Sequence, residues 1–206
     1  MGNRAVITTK ENFENNGVGV YLHWNGGYDS VSAFLKYCEI KGYRSPDKDN
    51  YGWARLCQVI GNFFGGSTSV GIDVVNKLDC DNWDNGVYII KGWEIIDRKY
   101  FNGYEQNNHE MNEMLLEIDK AMPEEEQVGE YLSAKEVCVN NLKIGDVVCI
   151  KTWDDKFVKH KVMGFGNDEF VNGTNVKDMP YIGLYGDDYS KNINNYIRTE
   201  TVRVVE

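Results

Sequence analysis

The 206-residue chain has few of the residues that commonly mark metal sites or covalent cross-links. It contains three prolines and three histidines, and no two of its five cysteines form a Cys-x-x-Cys pair. This excludes the usual zinc-ligand spacings, so we expect no metal and no other cofactor. Because the cysteines stand beside apolar residues, we expect them to be buried, reduced thiols in a reducing compartment.

Long apolar stretches are also missing. No run approaches the ~18 residues of a membrane-spanning helix, and Met1–Val6 lacks the apolar core of a signal peptide. Phosphate-binding loops, Gly-x-Ser-x-Gly elbows and His-Glu-x-x-His helices do not occur. The sequence therefore predicts a cytoplasmic protein with no membrane partner, and no motif in it requires an enzyme.

Positive charge is scarce, since 22 Lys and Arg face 32 Asp and Glu, a net charge of −10. Nucleic-acid binding depends mainly on basic side chains that neutralise phosphates, so direct sequence-specific DNA binding is not expected. The negative charge is local, because residues 105–136 hold ten acids against two lysines, a charge of −8. Such a stretch either keeps the protein soluble or presents a negative face to a basic partner.

The acidic stretch predicts an amphipathic helix. Asn107 and Glu110 have the spacing of a capping pair, and Pro123 ends the pattern. Apolar residues recur at helical spacing on one face: Met111, Met114, Leu115, Ile118 and Met122. The candidate partner-binding residues are the acids of the opposite face and of the connector that follows: Glu110, Glu113, Glu117, Asp119, Glu124, Glu125 and Glu126.

The region before this helix predicts an α+β fold, with helices covering one face of a mostly antiparallel sheet. Strands are expected at 5–9, 18–24, 70–74, 87–90 and 93–96, and helices at 30–42 and 51–64. The helix at 51–64 is apolar nearly all round, which predicts a central position in its domain.

The region after the acidic stretch predicts a small SH3-like β-barrel, because short strands alternate with Gly, Asn and Asp. Strands are expected at 147–153, 157–165, 169–171, 181–185 and 196–205. The predicted organisation is an α+β domain at 1–123, an acidic linker at 124–130 and a barrel domain at 131–206.

One segment concentrates side chains that could carry chemistry. His23, Asn25 and Asp29 lie at a strand-to-helix junction, where His23 could act as a general base oriented by Asp29. The alternative is structural: Asn25-Gly26-Gly27 forms a tight turn, Asp29 caps the helix and His23 packs near Trp24. We favour this alternative, because the spacing places no nucleophile or second acid beside them.

A second segment, Asp79–Gly86, has a superficial likeness to a calcium-binding loop. An extra residue precedes Asp84, and Ile90 stands where such a loop needs a glutamate. We therefore interpret it as a solvated turn before a strand.

Three motifs carry a resemblance to a known group of proteins. They are Met1–Ile7, Tyr21–Gly27 with Asp29-Ser30-Val31, and Tyr51–Arg55 leading to Gly65-Gly66. They resemble small proteins of phages and mobile elements of low-GC Gram-positive bacteria, some of which look like inhibitors of type II-A CRISPR systems. The resemblance covers roughly the first 120 residues, implies a location in the cytoplasm of the bacterial host, and assigns no functional residue.

Three functions are compatible with these features. The first is a non-enzymatic anti-CRISPR protein whose acidic surface binds a basic host protein, the Cas9 effector or its guide-RNA complex, and blocks nucleic-acid loading. The second is a hydrolase or nuclease acting on guide RNA through His23, Asn25 and Asp29. The third is a non-catalytic partner-binding module in which the charge only maintains solubility.

Overall fold

The computed structural model describes residues 2–67, 69–151, 157–166, 170–171, 174–175, 181–186, 195–198 and 201–205. The chain divides into two compact units, Met1–Gln127 and Val128–Glu206. Among the described residues, no helix combines the length and the apolar character needed to cross a membrane.

A five-stranded sheet organises the first unit. Its strands are β1 (Ala5–Thr9), β2 (Val18–Leu22), β3 (Val70–Val74), β4 (Val87–Lys91) and β5 (Glu94–Lys99). They lie in the order β3-β2-β1-β4-β5, and β1 pairs with β4 in parallel while the other neighbours pair antiparallel. The prediction of an α+β unit with a mostly antiparallel sheet is therefore confirmed.

Four helices accompany this sheet: α1 (Lys10–Glu14), α2 (Tyr28–Ile40), α3 (Asn50–Phe63) and α4 (Met111–Ala121). The Asp49 carboxylate caps α3 by accepting hydrogen bonds from the backbone N–H of Tyr51 and Gly52. Helix α4 starts after Glu110, and no described side chain caps it. The predicted capping pair is wrong, because the Asn107 side chain instead accepts a hydrogen bond from the backbone N–H of Asp29.

Both faces of the sheet are covered, whereas helices on one face were expected. Tyr88 of β4 lies on the face next to α2, with its ring centroid 6.5 Å from that of Tyr28. On the other face, Val6, Val87 and Ile89 form a buried cluster against Phe13 of α1 and neighbouring loop residues. Helix α1 has five residues, too few to show a helical period in the sequence.

The position expected for α3 is wrong. Its buried residues form one stripe that includes Leu56, Val59 and Ile60, while Arg55 and Gln58 are exposed. Helix α2 is the central one, with eight buried residues that include Phe34 and Tyr37. Apolar composition overstated the burial of α3, because several of its apolar side chains are only half-buried.

The second unit contains an antiparallel sheet of six strands in the order β12-β11-β8-β7-β13-β6. The strands of this unit are β6 (Lys135–Cys138), β7 (Val147–Lys151), β8 (Phe157–Gly166), β9 (Phe170–Val171), β10 (Thr174–Asn175), β11 (Tyr181–Gly186), β12 (Asn195–Arg198) and β13 (Thr201–Val205). Within the described strands β6 and β12 end the sheet, so no closed barrel is seen there. The positions 152–153, 169 and 199–200, predicted as strand, lie outside the described residues.

The second unit has a small core of its own, formed by Leu142, Val148, Val162 and Val202. Val148 and Val162 are fully buried and come from the paired strands β7 and β8. Burial of these four side chains explains why the described strands pair around β7 and β8.

All five cysteines are free thiols. Cys38 and Cys149 are buried as expected, but Cys57 and Cys80 are only partly buried. Cys138 is exposed on β6, a strand with no buried side chain of its own. Burial raises the pKa of Cys38, and it raises that of Cys57 to about 11. These two thiols are therefore protonated at neutral pH and poor nucleophiles.

Candidate functional site

Helix α4 lies on the first unit with one apolar face inward. Met114, Leu115 and Ile118 are buried, and the helix packs against both α2 and α3. Met122, just after the last turn, is also buried, whereas Met111 at the first turn is more than a third exposed. The apolar stripe expected from the sequence is thus correct except at Met111.

Three side chains at or after helix α2 hold the segment that contains α4. At the start of α2, Asp29 Oδ2 accepts hydrogen bonds from the backbone N–H of Asn108 and His109, each at 2.6 Å. Near its end, the Tyr37 hydroxyl donates to Asp119 Oδ1 at 2.7 Å. Since later residues of α2 meet later residues of the segment, the two helices run in the same direction.

The third contact fixes the chain beyond α4. Lys41 is 92% buried at its side chain, and its Nζ donates to the Glu126 backbone oxygen at 2.5 Å. The same ammonium lies 3.1 Å from Glu126 Oε2, and the Tyr43 hydroxyl donates weakly to that carboxylate at 3.5 Å. The acidic segment is therefore tied down before, within and after its helix.

The face of α4 turned away from this packing is mainly acidic, and its one exposed cation is Lys120 in the last turn. Glu110, Glu113 and Glu117 are exposed and recur with the spacing of one helix face, and Glu124 and Glu125 extend the charge beyond it. No lysine or arginine forms an ion pair with these five carboxylates in the part of the chain that the structure describes. We call these five residues the acidic face.

Unbalanced charge on this face opposes folding slightly. Glu113 and Glu117 stand one turn apart, and a like-charged pair at that spacing destabilises a helix by roughly 0.2–0.5 kcal/mol. Glu113 lies in the first turn, where the helix dipole favours an acid, but Glu117 lies beyond it. Stability of the helix therefore does not account for the whole acidic face.

Two of the seven candidate acids, Asp119 and Glu126, are not part of the acidic face. Asp119 is 4% exposed, which corrects its expected place on the outer face: it is bound to Tyr37 within the α2–α4 contact. Glu126 is half-exposed, but Lys41 holds it. Burial and the bond to Asp119 raise the pKa of Tyr37, so this hydroxyl stays a donor at neutral pH.

The candidate catalytic residues are not joined by their described contacts. His23 is exposed, its Nδ1 lies 3.1 Å from the Tyr21 hydroxyl, and its ring meets Trp24 edge-on at 5.0 Å. Asn25 adopts a left-handed turn conformation with φ 54°. Asp29 is buried and accepts from three backbone N–H groups, including that of Ser30.

These contacts give Asp29 a structural role. Its carboxylate is occupied by the loop before α4 rather than by the imidazole of His23. Gly27 is the N-cap of α2, so the expected capping role of Asp29 is wrong. The Asp29 carboxylate instead accepts from the backbone N–H of Asn108 and His109, which are 79 and 80 positions away. These hydrogen bonds explain how the buried side chain of Asp29 is tolerated there.

The Asp79–Gly86 loop is held by protein groups. Arg4 Nε lies 2.7 Å from Asp84 Oδ2, and another nitrogen of Arg4 lies 3.2 Å from Asp79. Burial alone would raise the pKa of Asp84, but the hydrogen bonds and charge of Arg4 outweigh it and lower the pKa. Among the described residues, no group of three or more His, Cys, Asp or Glu side chains could hold a metal ion.

Sequence reasoning missed Tyr37 and Lys41, which support the acidic face. Tyr37 and Asp119 are 82 residues apart, and Lys41 and Glu126 are 85 residues apart. A lysine at the end of an amphipathic helix is ordinarily solvated, so no local pattern pointed to its burial.

No protein-family model, curated protein or solved structure matches this chain. These comparisons neither support nor contradict the resemblance of the N-terminal motifs to proteins of phages and mobile elements.

Proposed function

We propose that this chain is a mobile-element-encoded inhibitor of a bacterial defence system, which binds the Cas9 effector and blocks nucleic-acid loading. The observation that carries the proposal is the acidic face, five exposed carboxylates that form no ion pair with any described residue, on a segment fixed at three points. The choice of Cas9 rests on the resemblance of the N-terminal motifs.

The chemistry of such an effector complements this face. Cas9-type proteins hold nucleic acid in a positively charged channel whose side chains contact the phosphate backbone. Glu113 and Glu117 stand about 6 Å apart along the helix axis, so their carboxylates form a row of negative charges as phosphates do. Bound in that channel, the acidic face occupies cationic groups that would otherwise contact nucleic acid.

Fixation of the helix matters for affinity. A segment already ordered in the free protein loses little conformational entropy when it binds, whereas a flexible acidic tail would lose much more. Charge mainly accelerates the encounter, by about 10- to 1000-fold where steering is strong, and this gain falls as salt rises.

The test compares two variants of equal net charge. One replaces the acidic face by amides (E110Q, E113Q, E117Q, E124Q and E125Q), and the control replaces five exposed acids elsewhere (E11Q, E14Q, E39Q, E94Q and D97N). Association with purified guide-loaded and guide-free Cas9 is measured at about 50 and 200 mM salt, where electrostatic binding changes strongly. We expect the first variant to bind at least tenfold more slowly and with weaker salt dependence, and the control to match the original chain.

Two results would contradict the proposal. If the original chain does not bind Cas9 at either salt concentration, the partner is wrong. If both variants lose the same amount of affinity, the total charge matters rather than the acidic face. Capture of another host protein by the original chain would then favour the partner-binding module without an inhibitory role.

We further propose that the second unit closes into an SH3-like barrel. Its short antiparallel strands and its four-residue apolar core support this closure. In a closed barrel, the backbone N–H groups on both edges of β6 are hydrogen-bonded and should exchange slowly. Fast exchange of the N–H groups on the edge away from β13 would exclude a closed barrel.

A further inference from the structure

Two neighbouring loops of the first unit expose large aromatic side chains. Trp83 is 79% exposed, Tyr104 is 71% exposed and Tyr100 is 54% exposed. A single exposed aromatic residue is common, but three on adjoining loops are a feature of binding surfaces. We call these three residues the aromatic surface.

The two loops form one connected frame. Asn82 is fully buried, and its side chain bonds the backbone of Asp79, Asp84 and Gly86. Asn102 joins the loops: its amide nitrogen donates to the Trp83 backbone oxygen at 3.0 Å, and its amide oxygen accepts from the Tyr104 N–H at 2.9 Å. These hydrogen bonds fix the backbone of Trp83 and Tyr104 in the free protein.

The backbone at two of these residues is strained. Trp83 has φ +60° and Tyr100 has φ +56°, a left-handed conformation that is rare for bulky side chains. Glycine adopts this conformation without strain, yet the sequence has an exposed tryptophan and an exposed tyrosine there. Because exposure gives them little packing in return, the strain indicates a use for these side chains beyond folding.

Negative charge accompanies the aromatic rings. Asp81 is exposed two residues before Trp83 and forms no ion pair within the described ranges. Asp79 and Glu105 are half-exposed at the edges of the same frame, but Arg4 and Arg98 already pair with them, so the charge available to a partner is that of Asp81. Aromatic faces next to a carboxylate complement a guanidinium group, which stacks on rings and donates to carboxylates in one plane. An ammonium group is more strongly hydrated and cannot stack in this way.

We propose that the aromatic surface binds an arginine-bearing segment of a partner protein. Trp83 and Tyr104 supply the stacking faces, Asp81 supplies the acceptor, and Tyr100 completes the apolar contact. This surface consists of residues outside the acidic face, so the proposal holds or fails independently of binding to Cas9.

The test uses two synthetic probes, a nona-arginine and a nona-lysine peptide, titrated against the full chain by calorimetry. We expect the arginine peptide to bind at least fivefold more tightly, because both peptides carry the same charge but only arginine stacks. W83G and Y104A should each weaken arginine-peptide binding about tenfold. Y51A removes a comparably exposed tyrosine from α3 and should change nothing.

A second measurement separates loss of binding from misfolding. Because glycine relieves the left-handed strain, W83G should raise the melting temperature by about 2–4 °C while it weakens binding. The amide variant of the acidic face should bind both peptides more weakly and keep the preference for arginine. That outcome distinguishes this surface from the proposed Cas9 contact.

Three results would overturn the inference. Equal affinity for the two peptides would show attraction by charge alone. Unchanged binding in both W83G and Y104A would place the contact elsewhere. Tighter binding of a single-stranded oligouridine than of the arginine peptide, lost in W83G, would identify a surface that stacks nucleobases instead.

Discussion

At the scale of single residues, two buried tyrosines and one half-buried tyrosine make the first unit sensitive to alkaline pH. Burial raises the pKa of Tyr37 and Tyr88, and burial together with Glu126 raises the pKa of Tyr43 to about 12. In the unfolded chain these hydroxyls ionise near pH 10, whereas in the folded chain they remain protonated. Their contribution to stability is therefore complete below pH 10 and is lost as the pH rises above it.

The prediction is a falling melting temperature between pH 10 and 12. Each tyrosine reduces the unfolding free energy by up to about 1.4 kcal/mol per pH unit in this range. Y88F should make the fall less steep, because its hydroxyl is buried with no hydrogen-bond partner among the described residues, so its removal breaks no bond. Differential scanning calorimetry at pH 9, 10, 11 and 12 measures this, and a constant melting temperature would contradict it.

At the scale of elements, the local sequence pattern predicted the helix itself, whereas contacts between distant positions decided its surroundings. The apolar spacing at 111–122 predicted α4, because burial of one face follows from periodicity, although Met111 is exposed. The pairing of β1 with β4 and the bond between Tyr37 and Asp119 join positions about 80 residues apart. No short window of sequence contains both partners of such a contact. Asp119 was therefore wrongly assigned to the outer face of α4.

The supports of α4 predict a local response to substitution. D29A removes the acceptor for the Asn108 and His109 N–H groups. We therefore expect the backbone amides of residues 107–113 to exchange at least about tenfold faster than in the original chain. D49A is the matched control, because it removes the corresponding support of α3 and should act at residues 50–55 instead. Equal acceleration throughout the five-stranded sheet in D29A would show that Asp29 supports the whole unit rather than the start of α4.

At the scale of the whole molecule, the net charge of −10 has a specific distribution. The first unit ends at Gln127 and therefore includes Glu124–Glu126, which the sequence assigned to a linker. Composition alone could not assign these residues to the unit, since an acidic run next to proline is usually solvated. Burial of Lys41 explains their place, because its ammonium needs an acceptor from this run.

The end of the first unit gives the last prediction, a comparison of the fragments 1–127 and 1–123. Fragment 1–127 contains both groups of Glu126 that bind Lys41 and should unfold cooperatively in urea. Fragment 1–123 leaves this buried ammonium without those acceptors, so its unfolding free energy should be lower by about 1–3 kcal/mol. E126Q in fragment 1–127 should cost less than the truncation, because the backbone oxygen still accepts from Lys41. Equal stability of the two fragments would show that the unit is complete at Pro123, and that the acidic run after it is a linker as its composition suggests.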